Sequence, residues 1–182
     1  MSYYKRIVGQ RIYLSPFDSE VPEMAETWAE WMNDTTTAET YGGGGNILFT
    51  RESAKKQIES LSGYRFSIVL LDGDRLIGHT SLHNADTLHR NAFFGIVIGT
   101  VEDRNKGYGR EALSLLSEYG FKTLNLHSIA LTVHSDNGMA ISCYKKVGFK
   151  EVGRLKEWVF KNGRYVDKLY MSILDSDFMK KI

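Results

Sequence analysis

The sequence predicts a mixed α/β (α+β) domain built on one central sheet, with a phosphate-holding turn near its middle. Three observations predict it. Strand-like and helix-like stretches follow one another in the order β-α-α-β-β-β-α-β-α-β-β. A basic, glycine-rich turn, Arg104-Asn105-Lys106-Gly107-Tyr108-Gly109, joins an apolar strand-like run to a helix-like run. The dipeptide Asn162-Gly163 parts two long runs near the C-terminal end, which is a strong hairpin signal.

At 182 residues the chain can bury one substantial core and is short for two, so a single domain over residues 1–182 is expected. The composition, 42% hydrophobic and 25% charged, is that of a soluble globular protein. A net charge of +1 creates no global field, so neither nucleic acid nor a membrane is expected as a partner. Cys143 is the single cysteine, which excludes an internal disulfide framework and suits a reducing cytoplasm. No apolar run reaches the roughly 18 residues of a membrane-spanning helix, and no apolar targeting segment opens the chain.

Arg11 to Phe17 alternates, with Ile12 and Leu14 on one face, and reads as the first strand; Pro16 ends its use in a ladder. Ser19 is placed to cap the helix that follows, with Pro22 and Glu23 in its first turn. Met24, Trp28, Trp31 and Met32 recur at helical spacing as far as Asn33 and read as core. The stretch from Asp34 to Asn46 contains Gly42-Gly43-Gly44-Gly45. Four glycines lose much entropy in any fixed conformation, so this stretch reads as a mobile loop with Tyr41 at its edge. Thr50 is placed to cap a second helix, Arg51 to Ser60.

Phe66 to Leu71 is an apolar strand that turns at Asp72-Gly73 into its partner, Arg75 to Leu82. His79 and His83 share one face of that partner but lie roughly 13 Å apart, too far for one ion, so no metal site is expected. Asn84 to Asn91 reads as a polar loop and Ala92 to Gly99 as a central strand, in which Gly95 signals a bulge or a close approach. A helix follows from Arg110 to Thr123, with Ala112, Leu115, Leu116 and Tyr119 on its apolar stripe. His127 to His134 alternates as a strand. Asn137 is placed to cap a short helix carrying Ala140, Ile141 and Tyr144, which Gly148 ends. Phe149 to Phe160 and Tyr165 to Leu174 form the last hairpin, with Glu157 expected opposite Lys168.

The chemistry centres on the glycine turn. Glycines let backbone N–H groups approach an anion, and the helix N-terminus adds partial positive charge. Arg104, Lys106 and Arg110 add formal charge. A P-loop would need Gly-Lys-Ser/Thr, which is absent. Gly107-x-Gly109-x-x-Ala112 fits a dinucleotide fingerprint on its face, but that fold needs an acid at the end of the next strand, and none occurs before Asp136. Arg104-x-x-Gly107-x-Gly109 matches Arg/Gln-x-x-Gly-x-Gly/Ala at each defined position.

That hexapeptide is the pyrophosphate signature of the GNAT acetyltransferases, a superfamily that this sequence resembles. The segment Asn137 to Phe149 is similar to the family's second landmark, Asn-x-x-Ala-x-x-x-Tyr-x-x-x-Gly-Phe. The hairpin Val159 to Asp167 resembles the branch that contains ribosomal-protein N-terminal and spermidine acetyltransferases. The resemblance spans nearly the whole chain. It implies the GNAT fold, a mixed sheet of about seven strands, splayed between the fourth and fifth and flanked by four helices. It implies acetyl-CoA as co-substrate and acetyl transfer to a primary amine of a small molecule or a peptide N-terminus. The implied cofactor-binding residues are Arg104, Asn105, Lys106, Gly107, Tyr108, Gly109 and Arg110 at the pyrophosphate, the backbone of Ile96, Val97 and Ile98 along pantetheine, and Asn137. A backbone N–H near Gly95 is expected at the oxyanion. Tyr144 is the implied catalytic residue, a donor to the departing thiolate, and it shares a helix face with Asn137 two turns away. A homodimer is a further expectation.

Related enzymes of this branch often read Ala-Glu where this chain reads Asn91-Ala92-Phe93-Phe94, so no general base carries over. Glu157, His83 and ordered water stand as candidates. Without a strong base a low-pKa amine, such as an N-terminus or amino sugar, is favoured: at pH 7.5 an α-amine of pKa near 7.8 is about one-third neutral, a lysine-like amine about 0.1%. Asp34 and Glu39 read either as partners for a cationic amine or as solvated surface charges. Two other functions stay open. A non-catalytic acetyl-CoA-binding module is favoured by the missing glutamate and disfavoured by Tyr144. A nucleotide-binding oxidoreductase is disfavoured by the missing ribose acid.

Overall fold

One mixed sheet of eight strands runs through the computed structural model, which describes residues 3–18, 20–41 and 48–181. The strands are β1 (Ile7–Val8), β2 (Ile12–Pro16), β3 (Tyr64–Leu70), β4 (Leu76–Asp86), β5 (Asn91–Ile98), β6 (Ser128–His134), β7 (Lys150–Lys161) and β8 (Arg164–Leu174). Their order is β1-β2-β3-β4-β5-β6-β8-β7. The helices are α1 (Pro22–Asn33), α2 (Thr35–Tyr41), α3 (Arg51–Ser60), α4 (Tyr108–Lys122), α5 (Gly138–Val147) and α6 (Asp175–Met179).

Two apolar clusters hold the layers together. Ile12, Leu14, Ile68, Leu82, Phe94, Ile129 and Leu131 of the sheet pack against Leu113 and Leu116 of α4. On the other face Met24, Trp28, Trp31 and Met32 of α1 pack with Ala54 and Ile58 of α3 and with Val97 of β5. The stripe expected on α1 is thus core, as its spacing required; on α4 Ala112 and Leu116 are core, Leu115 and Tyr119 pack at its margin, and the buried Leu113 lies outside the expected stripe. Among the described residues no helix is long and apolar enough to cross a membrane.

The feature that positions the site is a parting of strands. β5 and β6 pair in parallel only over Asn91↔Ser128, Ala92↔Ile129 and Phe93↔Ala130. Both strands continue, to Ile98 and His134, so the sheet opens from Phe94 onward. This is the expected splay.

Several elements differ from expectation. The sheet has eight strands rather than about seven because β1 is a two-residue strand, too short to show a period, paired as Ile7↔Leu14 and Val8↔Tyr13. There are six α-helices among the described residues rather than four. The added α2 occupies the first part of the stretch expected as a loop. Asp34 starts it by accepting hydrogen bonds from Thr37 N–H at 2.8 Å and Thr37 Oγ1 at 2.6 Å. α1 opens after Val21 without a side-chain cap. Ser19 and the Gly42–Gly45 run lie outside the described residues. Thr50 does cap α3, in a reciprocal pair with Ser53.

The expected polar loop at Asn84 is instead strand, because β4 runs on to Asp86. Of the bulge or close approach expected at Gly95, the bulge is displaced, since Gly95 pairs regularly with Ser81 and the register shifts between His83 and Asp86, whereas Ser81 and His83 do approach the glycine closely. In the last hairpin Asn162 and Gly163 take φ of 51° and 75°, as a two-residue turn with positive φ at both positions requires. The expected Glu157–Lys168 pair does not form. Leu155 stands opposite Lys168, and the register shifts between Leu155 and Val159. Glu157 sits inside that shift at φ 50°, its N–H donating to Asp167 Oδ1 at 2.9 Å.

Candidate active site

The glycine turn lies where the sheet opens. Gly107 is the residue before α4 and holds φ 85°, ψ 0°, and Asn105 is also left-handed at φ 61°. The first amides of α4, those of Tyr108, Gly109 and Arg110, have no acceptor inside the helix. Lys106 and Arg110 are exposed beside them. Together they form an anion cradle of free N–H groups, a helix N-terminus and two cations.

Arg104 faces the other way. Its Nε and Nη2 donate to the Ile98 carbonyl at 3.3 and 3.2 Å, and Nη2 donates to Thr37 Oγ1 as well. Its backbone N–H donates to Val101 O at 3.1 Å. The side chain ties α2 to the end of β5, which leaves the cradle to residues 105–110.

Arg11, which sequence reasoning missed, does reach the cradle. It donates from Nη1 to the Lys106 carbonyl at 2.7 Å and from Nε to Glu111 Oε2 at 3.2 Å. Its guanidinium lies 4.9 Å from the Tyr108 ring centroid. Glu111 Oε1 in turn accepts the N–H groups of Gln10 and Arg11 at 2.7 and 2.9 Å. No local pattern signals a contact across 95 residues.

The open edge of β5 follows from its register. Gly99 N–H donates to Ile77 O at 2.9 Å, so His79↔Val97 and Ser81↔Gly95 are the hydrogen-bonded pairs of the antiparallel ladder. Val97 and Gly95 therefore direct their N–H and C=O groups to β4. Phe94 and Ile96 direct theirs into the gap, and Ile98 offers its N–H there while Arg104 takes its carbonyl. Of the three residues expected along pantetheine, Val97 is the exception. The amide available to an oxyanion is that of Ile96 rather than Gly95.

A cavity of about 530 Å³ fills the opening. Gly95 and Ile96 line it from β5, Thr132 and His134 from β6, and Asn137 and Tyr144 from α5. Asn137 caps α5, its Oδ1 accepting Ala140 N–H at 3.1 Å, and still faces the cavity. Tyr144 makes no side-chain hydrogen bond among the described residues, and burial raises its phenol pKa above the ordinary value. It remains a protonated donor throughout the physiological range.

The base candidates separate by position. Glu157 is exposed on β7 and does not line the cavity. His83 does line it, stacked on Phe93 with ring centroids 6.0 Å apart. A Cβ on Gly95 would meet His83 Cε1 at 3.4 Å, so the ring stands directly over that glycine. Burial holds the His83 pKa below the usual histidine value, which leaves it neutral at pH 7. His134 also lines the cavity, its pKa lowered first by burial. His79 is packed edge-on against Phe17 and Trp28, with its pKa pushed down to about 3. The acids raised as partners for a cationic amine are committed elsewhere: Asp34 to Thr37, and Glu39 to Lys161 at 3.4 Å.

The acetyltransferase (GNAT) domain family matches residues 11–150. The chain belongs to the GNAT acetyltransferase family. GNAT relatives include the spermidine N(1)-acetyltransferase of Vibrio cholerae serotype O1, 40% identical over 106 residues, or 58% of this chain and 61% of the relative. The spermidine N(1)-acetyltransferase of Escherichia coli K12 is 36% identical over 124 residues, 68% of this chain and 65% of that one. The chain thus matches somewhat less than two thirds of the length of these two curated relatives. A solved GNAT structure, spermidine N-acetyltransferase from Vibrio cholerae in complex with CoA and spermine, superposes with a TM-score of 0.79 at 28% identity. That superposition covers 92% of this chain and 98% of the other.

Proposed function

We propose that this GNAT protein is an acetyl-CoA-dependent N-acetyltransferase acting on the primary amine of a small molecule by direct attack, and that residues 1–182 work as one domain. The observation that carries the reading is the cavity at the β5–β6 opening, which brings the Ile96 edge, Tyr144 and Asn137 beside a cradle of free amides. These residues fit acetyl-CoA: the cradle suits a pyrophosphate, and an unpaired strand edge suits the amide-rich pantetheine arm. Acetyl-CoA supplies a thioester carbonyl and a thiolate leaving group.

The chain supplies the rest. Residues 105–110 hold the pyrophosphate. The Ile96 N–H faces the carbonyl oxygen as negative charge develops, an interaction of about 2.7–4 kcal/mol for a preorganised donor. Arg65 and Lys168 line the cavity as cations and disfavour a bound ammonium, so the amine enters as its neutral form. Neutral His83 takes the amine proton. Tyr144 donates a hydrogen bond to the thiolate. A thiol of pKa about 8.5 lies below this phenol, so stabilisation outweighs full proton transfer. Asn137 fixes the start of α5 and keeps its Nδ2 hydrogens for the cofactor arm. A second copy of the chain would cover the exposed Trp158, Phe160 and Tyr165 of the β7–β8 hairpin, and the cytoplasm would supply acetyl-CoA.

The test is a panel of primary amines with acetyl-CoA, read by thiol release and by mass spectrometry of the amine. Equal amounts of free CoA and acetylated amine are expected. Tight acetyl-CoA binding without release for any amine would instead make the protein a binding module.

A further inference from the structure

We infer that the acceptor amine also carries a carboxylate, as an α-amino acid does, and that Arg65 seats it; this rests on the acetyltransferase reading above. The strand register builds the seat. Arg65 of β3 pairs with Ser81 of β4, which pairs with Gly95 of β5. Directly opposed residues share a face, so these three line one row across the sheet. Two strand spacings put the Arg65 and Gly95 Cα atoms roughly 10 Å apart, which an arginine side chain and a small amino acid together fill. Ser81 and Gly95 are small and leave the hollow between Arg65 and His83.

The formal charge of the hollow has one sign. Arg65 and Lys168 line it as cations, beside His79, His83 and His134, whose pKa values burial lowers. Among the described residues no Asp or Glu lines it, and the undescribed residues contain neither type. Glu39 and Asp136 are committed to Lys161, at 3.4 and 3.3 Å. A polycation in this hollow would meet two cations, Arg65 and Lys168.

Arg65 itself has no anionic partner among the described residues. Nη1 donates to the Ile58 carbonyl at 2.6 Å, and the guanidinium lies 4.1 Å from the Phe17 ring centroid. Nε and Nη2 are buried with no hydrogen-bond partner among the described residues. Among the described residues no carboxylate pairs with it. Turned toward the hollow, this planar fork of donors without a counter-charge is matched by a carboxylate, which satisfies two N–H groups at once. The volume suits a small molecule.

The test is calorimetry on the CoA-loaded protein, with thiol release measured in parallel on acetyl-CoA. The ligands are L-alanine, L-leucine, L-methionine and L-phenylalanine, their carboxamides, and spermidine. A carboxylate raises the pKa of the neighbouring amine, so each carboxamide has more free amine and any preference for the acid comes from the site. At least one amino acid is expected to bind tenfold tighter than its carboxamide, and spermidine weaker than both. Arg65→Gln is expected to shrink that preference to within threefold, and Arg65→Lys to keep part of it. The inference fails if no amino acid outbinds its amide, if spermidine binds best, if nothing in the panel binds, or if folded Arg65→Gln keeps the full preference. If Arg65→Gln does not fold, the wild-type comparison and Arg65→Lys decide. Amino-acid binding without thiol release from any amine would overturn the transferase reading and leave the carboxylate seat standing. Release from spermidine or amides alone would do the reverse.

Discussion

Arg11 donates from Nη1 to the carbonyl oxygen of Lys106 at 2.7 Å, so the entry to β2 holds the far end of the anion cradle. The same guanidinium lies over Tyr108 and pairs with Glu111. Arg11 is therefore a positioning residue for the cradle. Arg11→Ala is expected to raise the acetyl-CoA Kd about tenfold, with kcat at saturating acetyl-CoA and the acceptor KM within twofold. A fall in kcat with unchanged Kd would place its role elsewhere.

Gly107 is the residue in the cradle least able to change. At φ 85° a side chain is strained by about 1–2 kcal/mol, and a Cβ would meet Arg11 Nη2 at 3.1 Å. Gly107→Glu adds a negative charge where an anion is to bind. Its acetyl-CoA affinity is expected to drop at least tenfold with an unchanged circular dichroism spectrum, and an unchanged affinity would remove the cradle from the account.

His83 predicts the pH dependence. Burial lowers its pKa below the ordinary value of about 6.5. A base with a lowered pKa is neutral, and competent, above that pH and is lost only below it. At saturating acetyl-CoA, log kcat/KM for the amine is expected to rise at unit slope toward the amine's own pKa and to steepen only below pH 6.5. His83→Gln should lower kcat/KM at least tenfold and abolish the steepening. A break at pH 7 or above would take the proton away from His83, and one below pH 6.5 that survives in His83→Gln would assign it to His134.

What was legible in the sequence was local. Thr50 and Arg51–Ser60, Asn137 with its short helix, Gly148, and Asn162-Gly163 each carry their own signal within a few residues, and each is in place. The hexapeptide announced the cradle for the same reason. What was missed depends on partners distant in sequence. α2 is a threonine-rich helix of weak propensity, held by the Asp34 cap and by Arg104 on Thr37. Glu157 leaves its expected pairing because Asp167 takes its N–H and the strand bulges. Arg104 reads as a phosphate ligand in the motif, yet its side chain bonds the Ile98 carbonyl. The Arg65–Ser81–Gly95 row needs the register of three strands before it exists at all.

Tyr144 carries the central claim that this cavity performs the chemistry. It lines the cavity, stays protonated, and has no competing side-chain hydrogen bond among the described residues. Tyr144→Phe keeps the ring and removes only the donor. The direct measurement is single-turnover acetyl transfer, with enzyme in excess over acetyl-CoA and a saturating amine, so that product release does not enter. The transfer rate is expected to fall at least tenfold, with the acetyl-CoA Kd within threefold of wild type. A variant that transfers at the wild-type rate would contradict the assignment and leave Tyr144 a packing residue.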